Sequence, residues 1–367
     1  MIDTVKLVIK MKDRPDFSGF TPDIRISNEY RGVFKAVKNP SVSTKKLGIY
    51  QPRLTYTQRP KQNNFLEREL CIELSLPKLL FNNNFDELCD LDFDRLVSKL
   101  QSTLQQMNVW LFKHQIIDAE VRAIHFGKNI PFHDYTSCSS ILTNLNKVDI
   151  SKRLDVQKTN FRNGGHILHF HQNSLDIAFY DKKADLEQSA ISEKRSFESD
   201  NYIQLNLLEA LDAQKPLSLL RFEVRLGNKR TITAYLNKAG CNSGLTFKEL
   251  FSEEVAKAVL IYTWDKFRSN IPLVDFDKGY DNLFANILKD PTAKPQQALA
   301  KLGLLILRSN LDSRQARKLI DDRFGKHAWT RLKSLSRDPP QQQYKAVLVI
   351  DKFLRQYEPI QLNHKII

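Results

Sequence analysis

The sequence has few cysteines and lacks any long apolar run. Its four cysteines, Cys71, Cys89, Cys138 and Cys241, are scattered through 367 residues without a CxxC spacing. That scatter argues against a zinc knuckle or a disulfide framework and favours a reducing cytoplasm. No apolar stretch approaches the roughly 18–20 residues that a membrane span needs. The opening residues, MIDTVKLVIKMKD, are typical of a first strand and not of a signal peptide. No membrane partner is therefore expected.

Acidic residues are outnumbered, with 42 against 56 basic ones and a formal net charge of +14. Such an excess favours a polyanionic partner, nucleic acid first and an acidic membrane surface second. The chain also lacks a GxxxxGK[ST] phosphate loop, an internal repeat and a long low-complexity segment.

Residues 291–338 hold 11 basic and 4 acidic residues, between prolines at both ends. The pattern predicts two or three helices with a turn near Ser309-Asn310. We expect this unit to contact DNA phosphates, the alternative being a solvated pair of basic helices. The positions expected to contact DNA are Arg314, Arg317, Lys318, Arg331 and Lys333.

Apolar periodicity predicts the other main elements. Helices are expected over 92–110, 135–146, 206–213, 229–239 and 247–267. A strand is expected over 118–130, with Val121, Ala123 and His125 on one face if it is regular.

Residues 164–181, GGHILHFHQNSLDIAFYD, read as a β-hairpin with a tight polar turn. If Asn173-Ser174 forms a two-residue turn, His171 faces Asp176 and Tyr180 faces Ile167. His169, His171 and Tyr180 then share one face. Two such imidazoles can bind one metal ion, and a nearby phenol can attack a phosphate that the ion polarises. The alternative is a pair of polar side chains on a solvated face.

Residues 217–226, LSLLRFEVRL, form a strand with strict alternation in its second half. Arg221, Glu223 and Arg225 point away from the apolar face. A charged row on a central strand needs polar partners, because burial of an unpaired charge is costly. A metal and a phosphate backbone would serve, and so would local ion pairs on an outer face.

Several segments carry a resemblance to a known family. They are the opening Met-Ile-Asp, ELSLPKLL at 73–80, VRAIHF at 121–126, LDIAFYDK at 175–182, LRFEVR at 220–225 and YLNK at 235–238. In order and spacing the sequence resembles, over roughly residues 1–240, the gene II type replication initiation proteins of filamentous phages and related rolling-circle initiators of phages and plasmids. His169-Phe-His171 is similar to the His-hydrophobic-His motif of single-strand nicking endonucleases.

The resemblance implies an α+β fold, a central antiparallel sheet with packed helices, here followed by a C-terminal helical unit. Together with the basic composition of 291–338, it leads us to expect a nicking domain over 1–270 and a basic helical region that binds DNA over 271–367. The implied chemistry is cleavage of one DNA strand at an origin, with tyrosine linked to the 5′ phosphate and a free 3′ hydroxyl priming synthesis. Tyr180 matches the linking tyrosine, and Tyr235 is the second choice. The implied setting is a bacterial cytoplasm, with host helicase and polymerase as partners.

The expected metal ligands are His125, His169, His171 and Glu223, three or all four of which would hold Mn²⁺ or Mg²⁺. The family usually has aspartate where this chain has His125, which shifts the expected preference toward Mn²⁺, since imidazole is the softer donor. Lys182 or Arg221 would stabilise developing negative charge, and Arg225 would contact DNA. Two alternatives stay open: a non-catalytic origin-binding regulator, and a metal-dependent nuclease that uses water.

Overall fold

Ten strands among the described residues pair into one sheet, and each neighbouring pair is antiparallel. The computed structural model describes residues 1–11, 21–28, 32–60, 66–132, 137–146, 148, 154–160, 166–185, 218–269, 294–311, 313–335 and 345–361. The strands are β1 (Ile2–Met11), β2 (Ile24–Asn28), β3 (Val33–Lys38), β4 (Arg53–Pro60), β5 (Leu66–Ser75), β6 (Glu120–Phe132), β7 (Asp155–Asn160), β8 (His166–Gln172), β9 (Leu175–Asp181) and β10 (Ser218–Leu226). Their order across the sheet is β2-β3-β4-β5-β1-β6-β10-β9-β8-β7. A mixed α and β protein with a large antiparallel sheet is confirmed.

The helices vary from one turn to four turns. They are α1 (Val42–Lys46), α2 (Leu76–Phe81), α3 (Phe93–Gln106), α4 (Lys113–Ile117), α5 (Cys138–Asn146), α6 (Lys229–Lys238), α7 (Phe247–Leu250), α8 (Glu253–Arg268), α9 (Pro295–Asn310), α10 (Ser313–Phe324), α11 (Ala328–Leu335) and α12 (Lys345–Gln356). Within the described ranges, no helix is long and apolar enough to cross a membrane. The helix predicted over 206–213 lies outside the described residues.

The helix predicted over 247–267 is two helices. Helix α7 ends at Leu250, and α8 begins at Glu253. Ser252 has an extended backbone, and its hydroxyl accepts a hydrogen bond from the Val255 N–H. This N-cap satisfies a backbone donor that the first turn leaves unpaired, so it starts a new helix where apolar periodicity alone predicts continuity.

The helices cover one apolar face of the sheet. Phe179 of β9 stacks on Phe222 of β10 with ring centroids 4.5 Å apart. Phe267 of α8 packs edge-on against Phe179 and against Phe170 of β8. Because side chains alternate along a strand, burial of these rings directs their sequence neighbours to the opposite face. Those neighbours form the candidate site.

Helix α12 returns to this core from the far end of the chain. Leu354 and Ile350 are buried in the main core. Lys128 of β6 donates hydrogen bonds to the Glu87 carboxylate and, at 2.6 Å, to the Glu358 carbonyl. The backbone N–H of Glu87 also donates to the Ile360 carbonyl at 2.9 Å. Residues 345–361 therefore belong with the sheet, although the sequence places them in the basic helical region.

Helices α9, α10 and α11 have a small core of their own. It contains Leu304, Ala316 and Trp329, with Leu307 and Ile320 packed against it. The three helices match the two or three predicted over 291–338. They occupy the chain between α8 and α12, both of which lie in the main core.

Replacing Leu354 with alanine should lower the free energy of unfolding by about 2–5 kcal/mol, because the truncation opens a cavity in the main core. Urea denaturation followed by far-UV circular dichroism measures the change. Leu348→Ala, in the same helix but at an exposed position, should have little effect. Equal midpoints for wild type and Leu354→Ala would mean that α12 is not part of the sheet's cooperative unit.

Candidate functional site

The predicted hairpin is present with the predicted register. Asn173 and Ser174 form the turn between β8 and β9, and Asn173 adopts a φ of 45°. His171 pairs with Asp176 across the strands, and Ile167 pairs with Tyr180. Asparagine tolerates this left-handed conformation better than most residues, which suits it to the turn.

Strand β10 places its charged row beside the hairpin. Arg221 pairs with Tyr180, and Arg225 pairs with Asp176. On its other edge β10 pairs with β6, where Arg221 lies opposite Asn129 and Arg225 lies opposite His125. We call this surface the polar face. Its members project from one side of β6, β10, β9 and β8, and they are His125, Gly127, Asn129, His169, His171, Asp176, Ala178, Tyr180, Arg221, Glu223 and Arg225.

Glu223 is the centre of the polar face. Its Oε1 accepts a hydrogen bond from the Tyr180 hydroxyl at 2.8 Å and one from Arg221 Nε at 3.1 Å. Its Oε2 accepts from Arg225 Nε at 2.8 Å and Nη2 at 2.6 Å. The residue is 1% exposed. Two guanidinium groups and a phenol thus satisfy a carboxylate that water does not reach.

These charges determine the protonation states. Burial alone would raise the pKa of Glu223, but Arg225 and Arg221 outweigh it and hold that pKa well below its usual value. The pKa of Tyr180 is raised well above 10, first by burial and then by the negative charge of Glu223. At neutral pH the pair is therefore a carboxylate and a neutral phenol that donates to it.

Arg221 occupies a space that a glycine provides. A Cβ on Gly127 would lie 2.5 Å from Arg221 Nη2, so any larger residue would displace the guanidinium. Arg221 Nη1 donates to Asn129 Oδ1 at 3.1 Å, and Nη2 lies 3.6 Å from Asp3 Oδ2. Arg221 is thus held between Glu223 and the β1–β6 side of the sheet.

Arg225 extends the network toward the hairpin turn. Its Nη1 donates to Asp176 Oδ2 at 3.1 Å, and His169 Nδ1 lies 3.1 Å from Asp176 Oδ1. The Arg225 side chain is 29% exposed, so the network reaches solvent at this end. Of the two roles expected for the charged row, local ion pairing is what the side chains show.

Lys182 follows Tyr180 at the end of β9. It is buried in a helical turn over 182–185, with its Nζ 5.6 Å from the centre of the Tyr180 ring. Burial lowers the pKa of Lys182, and the negative charge of Asp185 opposes that effect. Lys182 and Arg221, the cross-strand neighbour of Tyr180, thus both place positive charge near this tyrosine.

The expected metal ligands share the polar face without meeting at one point. His125 is on β6 and the two hairpin histidines are on β8, with β10 and β9 between them. Three strand spacings separate their backbones by about 14 Å, whereas an ion bound by two imidazoles needs ring nitrogens about 2 Å from it. Both Glu223 oxygens already accept hydrogen bonds from arginine.

Within the described part of the chain, no group of three or more His, Cys, Asp or Glu side chains is placed to hold a metal ion. These residues therefore do not fit a single ion bound by all four expected ligands. A requirement for Mn²⁺ or Mg²⁺ stays a prediction.

Tyr235, the second candidate nucleophile, lies in the helical layer. Its hydroxyl is 2.9 Å from Thr263 Oγ1 of α8, and its ring packs edge-on against Tyr262. Burial raises its pKa to about 12. Tyr235 thus contacts α8 through both its hydroxyl and its ring, and its environment is that of a residue joining two helices.

The predicted DNA-contacting residues of the C-terminal helices are partly described. Lys318 and Arg331 are exposed, and Arg317 is half-buried. Arg314 and Lys333 lie in α10 and α11, but their side chains are outside the described part. The structure adds exposed Arg323 and Lys326 to the same unit.

Sequence reasoning missed Gly127, Asn129 and Asp3. The first two were visible in principle, because HFGKN places positions 125, 127 and 129 on one face of a strand. Asp3 could not be found, since its proximity to Arg221 requires β1 to pair with β6.

Replacing Glu223 with glutamine should lower the free energy of unfolding by about 3–5 kcal/mol, because buried Arg221 and half-buried Arg225 lose their anionic partner. Urea denaturation at pH 7 measures this change, with Glu254→Gln at an exposed position of α8 as the control.

The folded pKa of Glu223 is below the unfolded value near 4.5. Its stabilisation is therefore complete above that pH and is lost as the pH falls below it. The variant should lose less stability than wild type over that acidic range, and parallel curves would contradict this assignment.

Comparison with protein-family models found none that matches the chain. Comparisons with curated proteins and with solved structures found no match either.

Proposed function

We propose that this chain is a replication initiator that nicks one strand of an origin through Tyr180 and later rejoins it, driving rolling-circle replication. The observation that carries the proposal is that a tyrosine hydroxyl, a carboxylate and three cationic side chains lie together on β9, on β10 and in the helical turn that follows β9. Tyr180 donates to Glu223, and Arg221, Arg225 and Lys182 surround the pair. The sequence resemblance supplies the reaction class. The large antiparallel sheet with helices on its apolar face is compatible with the nicking-endonuclease fold that we propose.

In the proposed reaction, the Tyr180 oxygen forms a bond to phosphorus and the bond to the 3′ oxygen breaks. The phenolic proton passes to Glu223 Oε1, to which the Tyr180 hydroxyl already donates, and the departing 3′ oxygen takes up a proton from solvent. The products are a 5′-phosphotyrosine and a free 3′ hydroxyl. Because the phosphodiester bond energy is kept in the phosphotyrosine, a later 3′ hydroxyl can reverse the step and reseal the strand.

The arginines would make the basicity of Glu223 depend on whether DNA is bound. In the structure they neutralise Glu223, which therefore has little affinity for the Tyr180 proton. A phosphate entering the polar face would compete with Glu223 for Arg225 and Arg221, since guanidinium binds both groups in the same bidentate manner. Each donor transferred to the phosphate raises the proton affinity of Glu223. The carboxylate would thus become a base for Tyr180 only when DNA is bound.

The basic three-helix unit would bind the origin duplex. Its exposed Lys318, Arg323 and Lys326 supply positive charge that suits a phosphate backbone. Host helicase and polymerase would act on the nicked product.

A second function, a non-catalytic origin-binding regulator, is favoured by one observation. Tyr180 is 6% exposed, and its hydroxyl is engaged with Glu223. A nuclease that uses water is the third possibility.

Tyr180→Phe should abolish covalent protein–DNA adducts while origin binding is unchanged, because only the attacking oxygen is removed. The assay incubates the protein and Mn²⁺ with a supercoiled plasmid that carries the gene for this chain and its flanking DNA. A denaturing gel then separates protein that is covalently bound to DNA from free protein. Tyr235→Phe, a buried tyrosine of the helical layer, is the matched control and should form adducts at the wild-type level.

The three functions give different results in that assay. Adducts with Tyr180→Phe would assign the nucleophile elsewhere. Nicking without any adduct indicates attack by water, and origin binding without nicking indicates a regulator.

Lys318→Ala should weaken DNA binding and reduce the slope of log K against log salt by about 0.9, the value for one lost phosphate contact. Fluorescence anisotropy with a labelled duplex at several salt concentrations measures the slope. Lys352→Ala, an exposed lysine of α12 outside the three-helix unit, should leave it unchanged. Equal slopes for Lys318→Ala and wild type would remove α10 from the interface.

A further inference from the structure

We propose that residues 108–114, here called the aromatic loop, bind unpaired nucleic-acid bases by stacking. It comprises the connection between α3 and α4 and the first two residues of α4, and it takes no part in the polar face. The proposal rests on the proposed function only for the identity of the strand as DNA. The aromatic loop would be a second nucleic-acid site, one that recognises neither base sequence nor the shape of a duplex.

Two large aromatic side chains of the loop point into solvent. Trp110 is 63% exposed and Phe112 is 69% exposed. By contrast, Val109, which precedes Trp110, and Leu111, which lies between the two, are buried. This alternation is that of an extended segment, in which residues two apart share a side and are roughly 6.6 Å from each other. That spacing is about two steps of roughly 3.4 Å between stacked bases in a nucleic-acid strand.

The loop is held in place by hydrogen bonds, so the rings are presented in advance. The Val109 N–H donates to the Leu104 carbonyl at 2.9 Å. Gln101 Nε2 donates to the Leu111 carbonyl at 2.8 Å, and the Phe112 N–H donates to Gln115 Oε1 at 2.9 Å. A ligand would therefore lose little binding energy in ordering the backbone of this loop.

A third ring and a cation complete the surface. The His114 ring stacks on Phe112 with centroids 5.6 Å apart and planes 11° from parallel. Lys113, between them in sequence, is exposed. Aromatic faces that hold bases, next to a positive charge for the backbone, are the combination by which proteins bind single strands without sequence preference.

The size and surroundings of the patch favour bases over a protein. Gln106, Asn108 and Lys113 beside the rings are polar and exposed. Three rings within such surroundings expose less area than the roughly 800 Å² that each partner buries in a stable protein interface. The chain's net charge of +14 also attracts a polyanion.

Tryptophan fluorescence offers a direct measurement, because Trp110 is exposed while Trp264 and Trp329 are buried, and the chain has three tryptophans. Titration of the full chain with a 20-nucleotide oligo-dT should quench the emission through base contact with Trp110. A 20-base-pair duplex should quench much less, because its bases are already stacked. Equal quenching by the duplex would show phosphate contact alone and would overturn the proposal.

Leucine and phenylalanine variants separate stacking from apolar contact. The double variant Trp110→Leu, Phe112→Leu keeps apolar side chains but removes both π faces, and its affinity for labelled oligo-dT should fall about tenfold or more by anisotropy. Trp110→Phe, the matched control, keeps a π face and should stay within about threefold of wild type. Wild-type affinity in the double leucine variant, or an equal loss in Trp110→Phe, would overturn stacking.

Tyr180→Phe distinguishes failure of this proposal from failure of the proposed function. That variant should show the wild-type quenching by oligo-dT, since Tyr180 lies on the polar face. Loss of quenching in Tyr180→Phe would show that the signal does not come from the aromatic loop, and would count against it.

Discussion

The ion pairs around Glu223 are the constraint on which the rest of the site depends. A carboxylate that is 1% exposed would be unstable as an anion without compensating charge, and Arg221 and Arg225 provide it from the same strand. Their positions at i−2 and i+2 follow from strand alternation. Tyr180 is in turn placed by the strand pairing that brings β9 beside β10. The position of the tyrosine therefore depends on strand pairing, whereas its hydrogen bond and the charge beside it both depend on Glu223.

Local parts of the site could be predicted from the sequence because they depend on short-range geometry. The hairpin register follows from a two-residue turn and a period of two, so the pairing of His171 with Asp176 was accessible. The outward direction of Arg221, Glu223 and Arg225 follows from the same alternation. The separation of His125 from His169 could not be predicted from the sequence, because it depends on the strand order β6-β10-β9-β8. Side-chain alternation determines which face of the sheet a residue occupies. It does not determine how many strands separate two residues on that face.

Long-range packing also explains the difference at the C-terminal side. Composition separates 291–338 from the rest, and the three-helix unit with its own small core agrees with that. Composition does not reveal that α12 shares a core with β6 and α8, since an amphipathic helix has the same pattern whichever surface it covers. Arg268 of α8 and Asp351 of α12 form an ion pair at 3.1 Å, although the three basic helices lie between them in sequence. The basic helices are therefore an insertion within the chain segment that completes the sheet layer.

The contact between Lys128 and the Glu358 carbonyl spans 230 positions in sequence. A ribosome releases the strands of the sheet long before it releases the residues that close the surroundings of Glu87 and Lys128. During synthesis, Lys128 therefore lacks its carbonyl partner until the ribosome has released α12 and the residues that follow it. The basic helices are therefore synthesised after the ten strands of the sheet and before α12, the helix that packs into the main core behind them.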